Sequence, residues 1–238
     1  MLEDRNTQKR IEESAIKEFM EKGFANASLR QIVKNAGLTT GAFYKYYSTK
    51  ESLFASLVEP YANKIYSIYD ITLQDFQHFS AYEPKNIMMK LSADRMEEML
   101  DYIYKHYDNF KLLLCRADGT PFTAFIHNLV EFNVQSILRF INYMKDCNIE
   151  IPQIDVDFIH MISSGMFLSI FEIVAHDMQK SAAVMRVRKI KEFYTGGWER
   201  MFGVAFWFNA VMPIYKIIDI ISFIHSLYYE IITMENWR

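Results

Sequence analysis

Proline and glycine are scarce in this chain, at 5 and 8 of 238 residues. That is too few for the turns of a strand-rich fold of this length, and it favours long helices. Cysteine is scarcer still. Cys115 and Cys147 stand far apart with no C-x-x-C, which excludes a disulfide framework and suits reduced thiols in a cytoplasmic protein. The opening run MLEDRNTQKR is charged and is no signal peptide. No internal repeat, low-complexity tract or Ser/Gly linker is visible. Catalytic signatures are lacking as well: there is no G-x-S-x-G, P-loop or G-x-G-x-x-G. The histidines (His78, His106, His127, His160, His176 and His225) form no H-E-x-x-H or other tight ligand spacing along the chain. No metal and no cofactor are therefore expected. An enzyme is a distant alternative, whose mark would be a convergent triad or a metal in a pocket.

What is present is apolar residue at helical spacing, 51% of the chain, enough for a sizeable core. The chain is organised around Ser28 to Lys50, SLRQIVKNAGLTTGAFYKYYSTK. Ser28 with Gln31 has the spacing of a capping box, and Leu29, Ile32 and Val33 share one helical face. Gly37 supplies a positive φ for a turn, and Thr39 is a good N-cap for a second helix. Phe43 and Tyr47 lie four apart and face inward together. Ser48 with Glu51 reads as the cap of a third helix. From Lys22 to Lys50 there are five bases and no acid, in a chain whose net charge is −3. A basic surface concentrated on a helix-turn-helix suits the DNA backbone. Small residues at Thr39, Thr40, Gly41 and Ala42 let a helix N-terminus press into a major groove.

The run AGLTTGAFYKYYSTKESLF resembles the signature of TetR-type (TetR/AcrR family) transcriptional regulators. Ala36, Gly37, Thr39, Gly41, Tyr44, Tyr46, Lys50, Glu51 and Leu53 carry the match. Tyr47 stands where Phe is usual, Ala42 where Thr or Ser is common, and Thr40 where a basic residue is frequent; the last two bear on the operator sequence. The likeness implies an all-α chain, with a three-helix helix-turn-helix domain over 1–50 and a larger helical ligand-binding and dimerisation domain over 51–203. It implies DNA contacts from Ser28, Arg30, Thr39, Thr40, Gly41, Ala42, Tyr44, Lys45, Tyr46 and Lys50. Ser28, Tyr44 and Lys50 are placed at phosphates, and Thr39, Thr40 and Lys45 at bases. Partners follow: a palindromic operator, a second copy of the chain and a small-molecule effector. The regulator reads as a repressor. An activator, or a same-fold protein binding DNA for another purpose, is the alternative.

In chain order, a first helix over 4–22 ends at Gly23, with Phe24 plugging the core. A solvated face is the plainer reading of its Arg5, Lys9 and Arg10 than a DNA contact. A helix over about 49–73 bends at Pro60. Ser80 to Pro84 is a break, and the next helix runs from Pro84 to about Tyr107. A short helix carries Phe110 and Leu112 to Leu114, and Ala117 to Pro121 is a turn. Helices follow at Pro121 to Asp146, 155–178 and 181–202, with a break at Ile149 to Gln153. The last two are those that pair between subunits in the family. The body is dense in Phe, Tyr and Met, and helical bundles place ligand sites between helices. Phe122, Phe125, Phe132, Met161, Phe167 and Phe171 are the candidate lining, with Glu131 and Glu172 as carboxylates for a cationic ligand group. Ordinary core and exposed surface are the competing readings of those side chains.

Residues 204–238 lie outside the resemblance. From Val204 to Ile232, 21 of 29 residues are apolar, but the longest charge-free run is only Val204 to Tyr215. A span needs about 20 apolar residues. The segment reads as a helix with a narrow wet stripe, packed on its own body or across a dimer. A surface for a membrane or another protein is the remaining reading.

Overall fold

Gly23 decides where the first helix stops. Its backbone (φ 71, ψ 163) breaks α1, Leu2–Asn26, so that the helix proper ends there and Phe24 to Asn26 form a following turn. The computed structural model describes residues 2–77, 96–146 and 152–201. Among these it is all helical. α2 is Leu29–Asn35, α3 is Thr40–Phe43 and α4 is Lys50–Gln77. The described part of α5 is 96–105, and α6 is Tyr107–Cys115. A 3-10 turn, Pro121–Ala124, leads into α7, Phe125–Asp146; α8 is Val156–Ala175 and α9 is Lys180–Met201. The expected break at Ser80 to Pro84 and the tail 204–238 lie outside the described residues.

Aromatic packing joins the N-terminal helices to the body. Phe24 plugs the core as expected: Phe19, Phe24 and Phe54 pack with ring centroids 5.1–5.9 Å apart, and Phe122 adds to Phe54 at 6.2 Å. Main chain and side chain reinforce that joint. Phe24 N donates to Arg116 O at 2.9 Å, and Arg116 Nε donates to Met20 O at 2.9 Å. Pro60 sits inside α4 and has no N–H for the preceding turn. In the same turn Leu57 O accepts from Asn109 Nδ2 of α6 at 2.8 Å.

Two helix starts differ from the sequence reading. The cap of α4 is one residue later than Ser48: Ser52 N donates to Thr49 Oγ1 at 3.0 Å, and Thr49 N donates to Ser52 Oγ at 3.1 Å. The reciprocal pattern is kept with Ser52 in place of the acid. Glu51 stays at the helix start, and its own backbone N–H, then the Thr49 hydroxyl, hold its carboxyl below the usual range. The helix expected from Pro121 begins as a 3-10 turn, because Thr120 Oγ1 caps it through Phe122 N at 3.2 Å and the α-helix starts only at Phe125.

The body is layered around α7 and α8, which pack on each other, with α6 and α9 against α8. A buried hydrogen bond, Asn133 Nδ2 to Ser163 Oγ at 2.8 Å, crosses that interface. The end of α8 is held from below. Lys111 Nζ, on a side chain only 10% exposed, donates to Val174 O, Ala175 O and Asp177 Oδ2 at 2.8–3.0 Å. Tyr107 Oη donates to Asp177 Oδ1 at 3.1 Å, and Tyr104 Oη to Met178 O at 2.6 Å. These bonds hold Asp177 at φ 48 and satisfy carbonyls that a helix end leaves without partners. α8 alone among the described helices is long and apolar enough to cross a membrane by length and composition. One of its faces is core, through Ile159, Phe167, Ile170, Phe171 and Val174. The other exposes Phe158, Met161 and Leu168, and α9 exposes Met185 and Phe193.

Candidate nucleic-acid interface

α2 and α3 are short, and each is started by a hydroxyl. Ser28 Oγ accepts from Gln31 N at 3.4 Å and Thr39 Oγ1 from Ala42 N at 3.2 Å, as the cap chemistry predicts. The rest of the expected capping box is replaced. The Gln31 amide turns to Asn35 Oδ1 at 2.7 Å, and Ser28 N donates to Glu18 Oε1 at 3.0 Å. Glu18 is buried in α1 and also takes Lys22 Nζ at 2.8 Å. The Lys22 ammonium, then the Ser28 N–H, hold its carboxyl below the usual carboxylate range.

The turn between α2 and α3 needs its glycine twice over. Gly37 has φ +67, and a Cβ there would lie 2.6 Å from Arg10 Nη2. Arg10 reaches across from α1 and donates to Ala36 O, closing the end of α2. Its guanidinium thus has a structural task that sequence spacing does not reveal. Phe43 and Tyr47 are buried together with rings 5.8 Å apart, as expected. The Tyr47 hydroxyl donates to Glu12 Oε1 at 2.6 Å and accepts from Gln8 at 3.2 Å. Burial, then the bond to Glu12, pushes that phenol up.

Around this frame the candidate DNA residues fall into two groups. Ser28, Arg30, Thr39, Thr40, Gly41, Tyr44 and Lys45 are exposed, Tyr44 by 55%. Ala42, Tyr46 and Lys50 are half-buried. The Tyr46 hydroxyl donates to Asp4 Oδ1 at 3.3 Å, tying this turn to the start of α1. Lys50, read as a phosphate contact, makes contacts within the chain here. Its ammonium donates to Phe24 O at 2.8 Å and Ala27 O at 3.1 Å and lies 4.4 Å from the centre of the Phe24 ring. It clamps the turn after Gly23 to the start of α4.

The aromatic candidates of the body also divide. Phe125, Phe132, Phe167 and Phe171 converge, and α4 adds Tyr66, whose ring lies 5.7 Å from Phe125 and 5.9 Å from Phe132, while Phe122 packs instead on Phe54. Phe125 is 5.9 Å from Phe171, which stacks on Phe167. Two further candidates do not belong there. Met161 is 69% exposed on the outer face of α8, and Glu172 is exposed and pairs with His176 at 2.6 Å. Each lies off the apolar face that sequence neighbours suggested, because helical rotation carries it out. Glu131 is half-buried and meets His160 at 3.0 Å. Tyr66, Arg10 and Glu18 were not legible as site residues, since their partners are distant along the chain.

Taken together, two short hydroxyl-capped helices, braced by α1 and joined through α4 to a helical bundle, form a helix-turn-helix head on a helical body. Residues 11–57 match the family model described as bacterial regulatory proteins, tetR family. Relatives agree. HTH-type transcriptional regulator YdgC of Bacillus subtilis is 37% identical over 59 residues, 25% of this chain and 30% of the relative. YuxN of the same organism is 27% identical over 134 residues, 56% of this chain and 42% of the relative. Each match therefore spans less than half of the relative's length. Solved folds extend the likeness. The regulator FadR of Bacillus subtilis, solved with stearoyl-CoA, superposes with TM-score 0.52 at 16% identity, covering 79% of this chain and 97% of that one. A TetR-family regulator from Syntrophomonas wolfei gives TM-score 0.51 at 16% identity, covering 80% and 95%. At such identities the superpositions speak for the fold.

Proposed function

We propose that this chain is a homodimeric, cytoplasmic transcriptional repressor that a small hydrophobic or amphipathic molecule releases from a palindromic operator. The observation that carries the reading is the exposed surface of α3 and its flanks. Thr40, Gly41, Tyr44 and Lys45 project from a braced frame, within an acid-free basic stretch. Thr39, Thr40 and Lys45 read bases, while Ser28, Arg30 and Tyr44 meet the backbone. Lys50 holds the frame.

Two copies are needed because one small head buries little DNA surface, and paired heads read half-sites about one helical turn apart. The apolar side chains exposed on α8 and α9 supply the contact, Met161, Leu168 and Phe193 at 53–75% exposure. Covering what remains exposed of each such side chain contributes something less than the roughly 1.5–3 kcal/mol of full burial. The effector enters among the rings around Phe125, Phe132 and Phe171. Tyr66 of α4 stands in that cluster, and Lys50 at the other end of α4 grips the head. A ligand that displaces the Tyr66 ring moves α4, and α4 carries the head. The effect is release only if the ligand binds the displaced state more tightly.

Selection of bound sites from random duplexes, followed by titration of the selected site with Tyr44→Ala and Lys45→Ala, tests the reading. Tyr44→Ala weakens selected and random DNA alike. Lys45→Ala shifts the preferred base at one position, at about 1–3 kcal/mol for a bidentate contact. A chain that enriches no sequence, or variants that bind as wild type, would overturn the proposal.

A further inference from the structure

The sequence gives no reason to expect a metal, because no histidine pair has a ligand spacing along the chain. Across helices the outcome differs. His127 and Glu131 are four residues apart on α7, so both lie on one face of that helix. His160 on α8 meets them. Its Nε2 is 3.0 Å from Glu131 Oε1, and the His127 and His160 rings have centroids 6.3 Å apart. Each of the three side chains presents one ligand atom, and those atoms all lie within 4.8 Å of one another.

We propose that His127, Glu131 and His160 bind a divalent transition-metal ion of the Zn2+ class, which bridges α7 and α8. Two imidazoles and a carboxylate form a set that borderline ions prefer, whereas Mg2+ and Ca2+ favour oxygen ligands. Around a tetrahedral Zn2+ with bonds of about 2.0–2.1 Å, ligand atoms stand roughly 3.3 Å apart. Glu131 and His160 are near that separation already. His127 is exposed, and its ligand atom lies within 4.8 Å of the other two. Three protein ligands leave one position open for water or an anion, the pattern of an open zinc site. Bringing ligands from α7 and α8 onto one ion fastens these helices together beside the Asn133–Ser163 bond. This inference does not depend on DNA binding, since it concerns the body alone.

The test uses full-length, untagged protein stripped of metal by a chelator and dialysed. Zn2+ alone is titrated against a chromophoric competitor, and Co2+ is added separately for its visible spectrum. One ion binds per chain, the melting temperature rises, and Co2+ gives the intense bands of a low-coordinate site. His127→Ala removes an exposed ligand without disturbing the core, and Glu131→Gln keeps the shape of the side chain. Each weakens Zn2+ binding by at least about 10–100-fold, the effect of losing even an outer-shell partner. Both should melt as metal-free wild type does. His176→Ala, which breaks the exposed pair with Glu172 on the same α8 helix, leaves the affinity unchanged. The proposal is overturned if wild type binds no Zn2+. It is equally overturned if His127→Ala and Glu131→Gln bind as wild type does, or if His176→Ala alone abolishes binding.

Discussion

An ammonium that donates to two main-chain carbonyls is not free to follow a phosphate. Lys50 makes those two bonds, to Phe24 O and Ala27 O, and lies over the Phe24 ring. Lys50→Met keeps the aliphatic stem and removes the donor. The variant should lose about 1–3 kcal/mol in urea unfolding, the cost of leaving half-buried carbonyls without a charged partner. The salt dependence of its DNA affinity should match wild type. A slope lower by about one unit would instead return Lys50 to a phosphate. Glu18 allows a second test. Its folded carboxyl is held below the ordinary range, chiefly by Lys22 and then by Ser28 N. Such a group contributes stability above its unfolded pKa, and the contribution is lost as pH falls through the folded value. Glu18→Gln should therefore flatten the acid side of the stability–pH curve, read by urea midpoints at successive pH values. An unaltered acid limb would show that Glu18 does not set it. Local residues such as Ser28, Gly37 and Thr39 were legible in the sequence because their partners lie within three residues or in their own backbone. Glu18 and Arg10 were not, because theirs lie 10 and 26 residues away.

Elements show the same division. The helices are legible from apolar spacing, since a face that must be buried repeats with the helical period. Their ends are less so. The cap of α4 moves from Ser48 to Thr49 because either hydroxyl suits the position, and only the chain's entry direction chooses between them. Expected ends at 178 and 73 become Ala175 and Gln77. At the first, residues remote in sequence take over the last carbonyls. Lys111, Tyr107 and Tyr104 form a cradle under the end of α8, and no local motif announces it. Lys111→Met should destabilise the chain by roughly 1–3 kcal/mol, since Ala175 O and Asp177 lose their ammonium partner and Val174 O keeps only the Tyr107 hydroxyl and backbone N–H donors. Hydrogen exchange of the amides in the last turns of α8 should quicken more than that of α2. Uniform quickening across both would mean that the cradle has no local role. Placement of ligand residues by neighbourhood alone fails for the same reason. Met161 and Glu172 sit among apolar neighbours in sequence, yet rotation along α8 turns both outward.

At the scale of the whole molecule, the described residues of α8 and α9 present an apolar surface, while the head presents a basic one. The first surface should govern the use of the second. In the dimer proposed above, a head bound to one half-site would bring its partner to the other at an effective concentration near the millimolar range, and linkage of this kind raises affinity by about 10²–10⁴-fold without any new DNA contact. Leu168 is 53% exposed on α8 and is absent from the packed core. Leu168→Glu should therefore leave the monomer folded and place a charge in the contact between copies. Sedimentation equilibrium should show a monomer at concentrations where wild type is a dimer. Affinity for a full palindromic operator should fall by at least about 10²-fold, while affinity for a single half-site is unchanged. Such a pair of outcomes separates assembly from damage to the head, because a misfolded head loses both. If the variant remains a dimer, the copies meet elsewhere than at this part of α8. If it is a monomer that binds the palindrome as tightly as wild type, the two heads do not cooperate through the body, and a ligand that respaced them would have no purchase on repression.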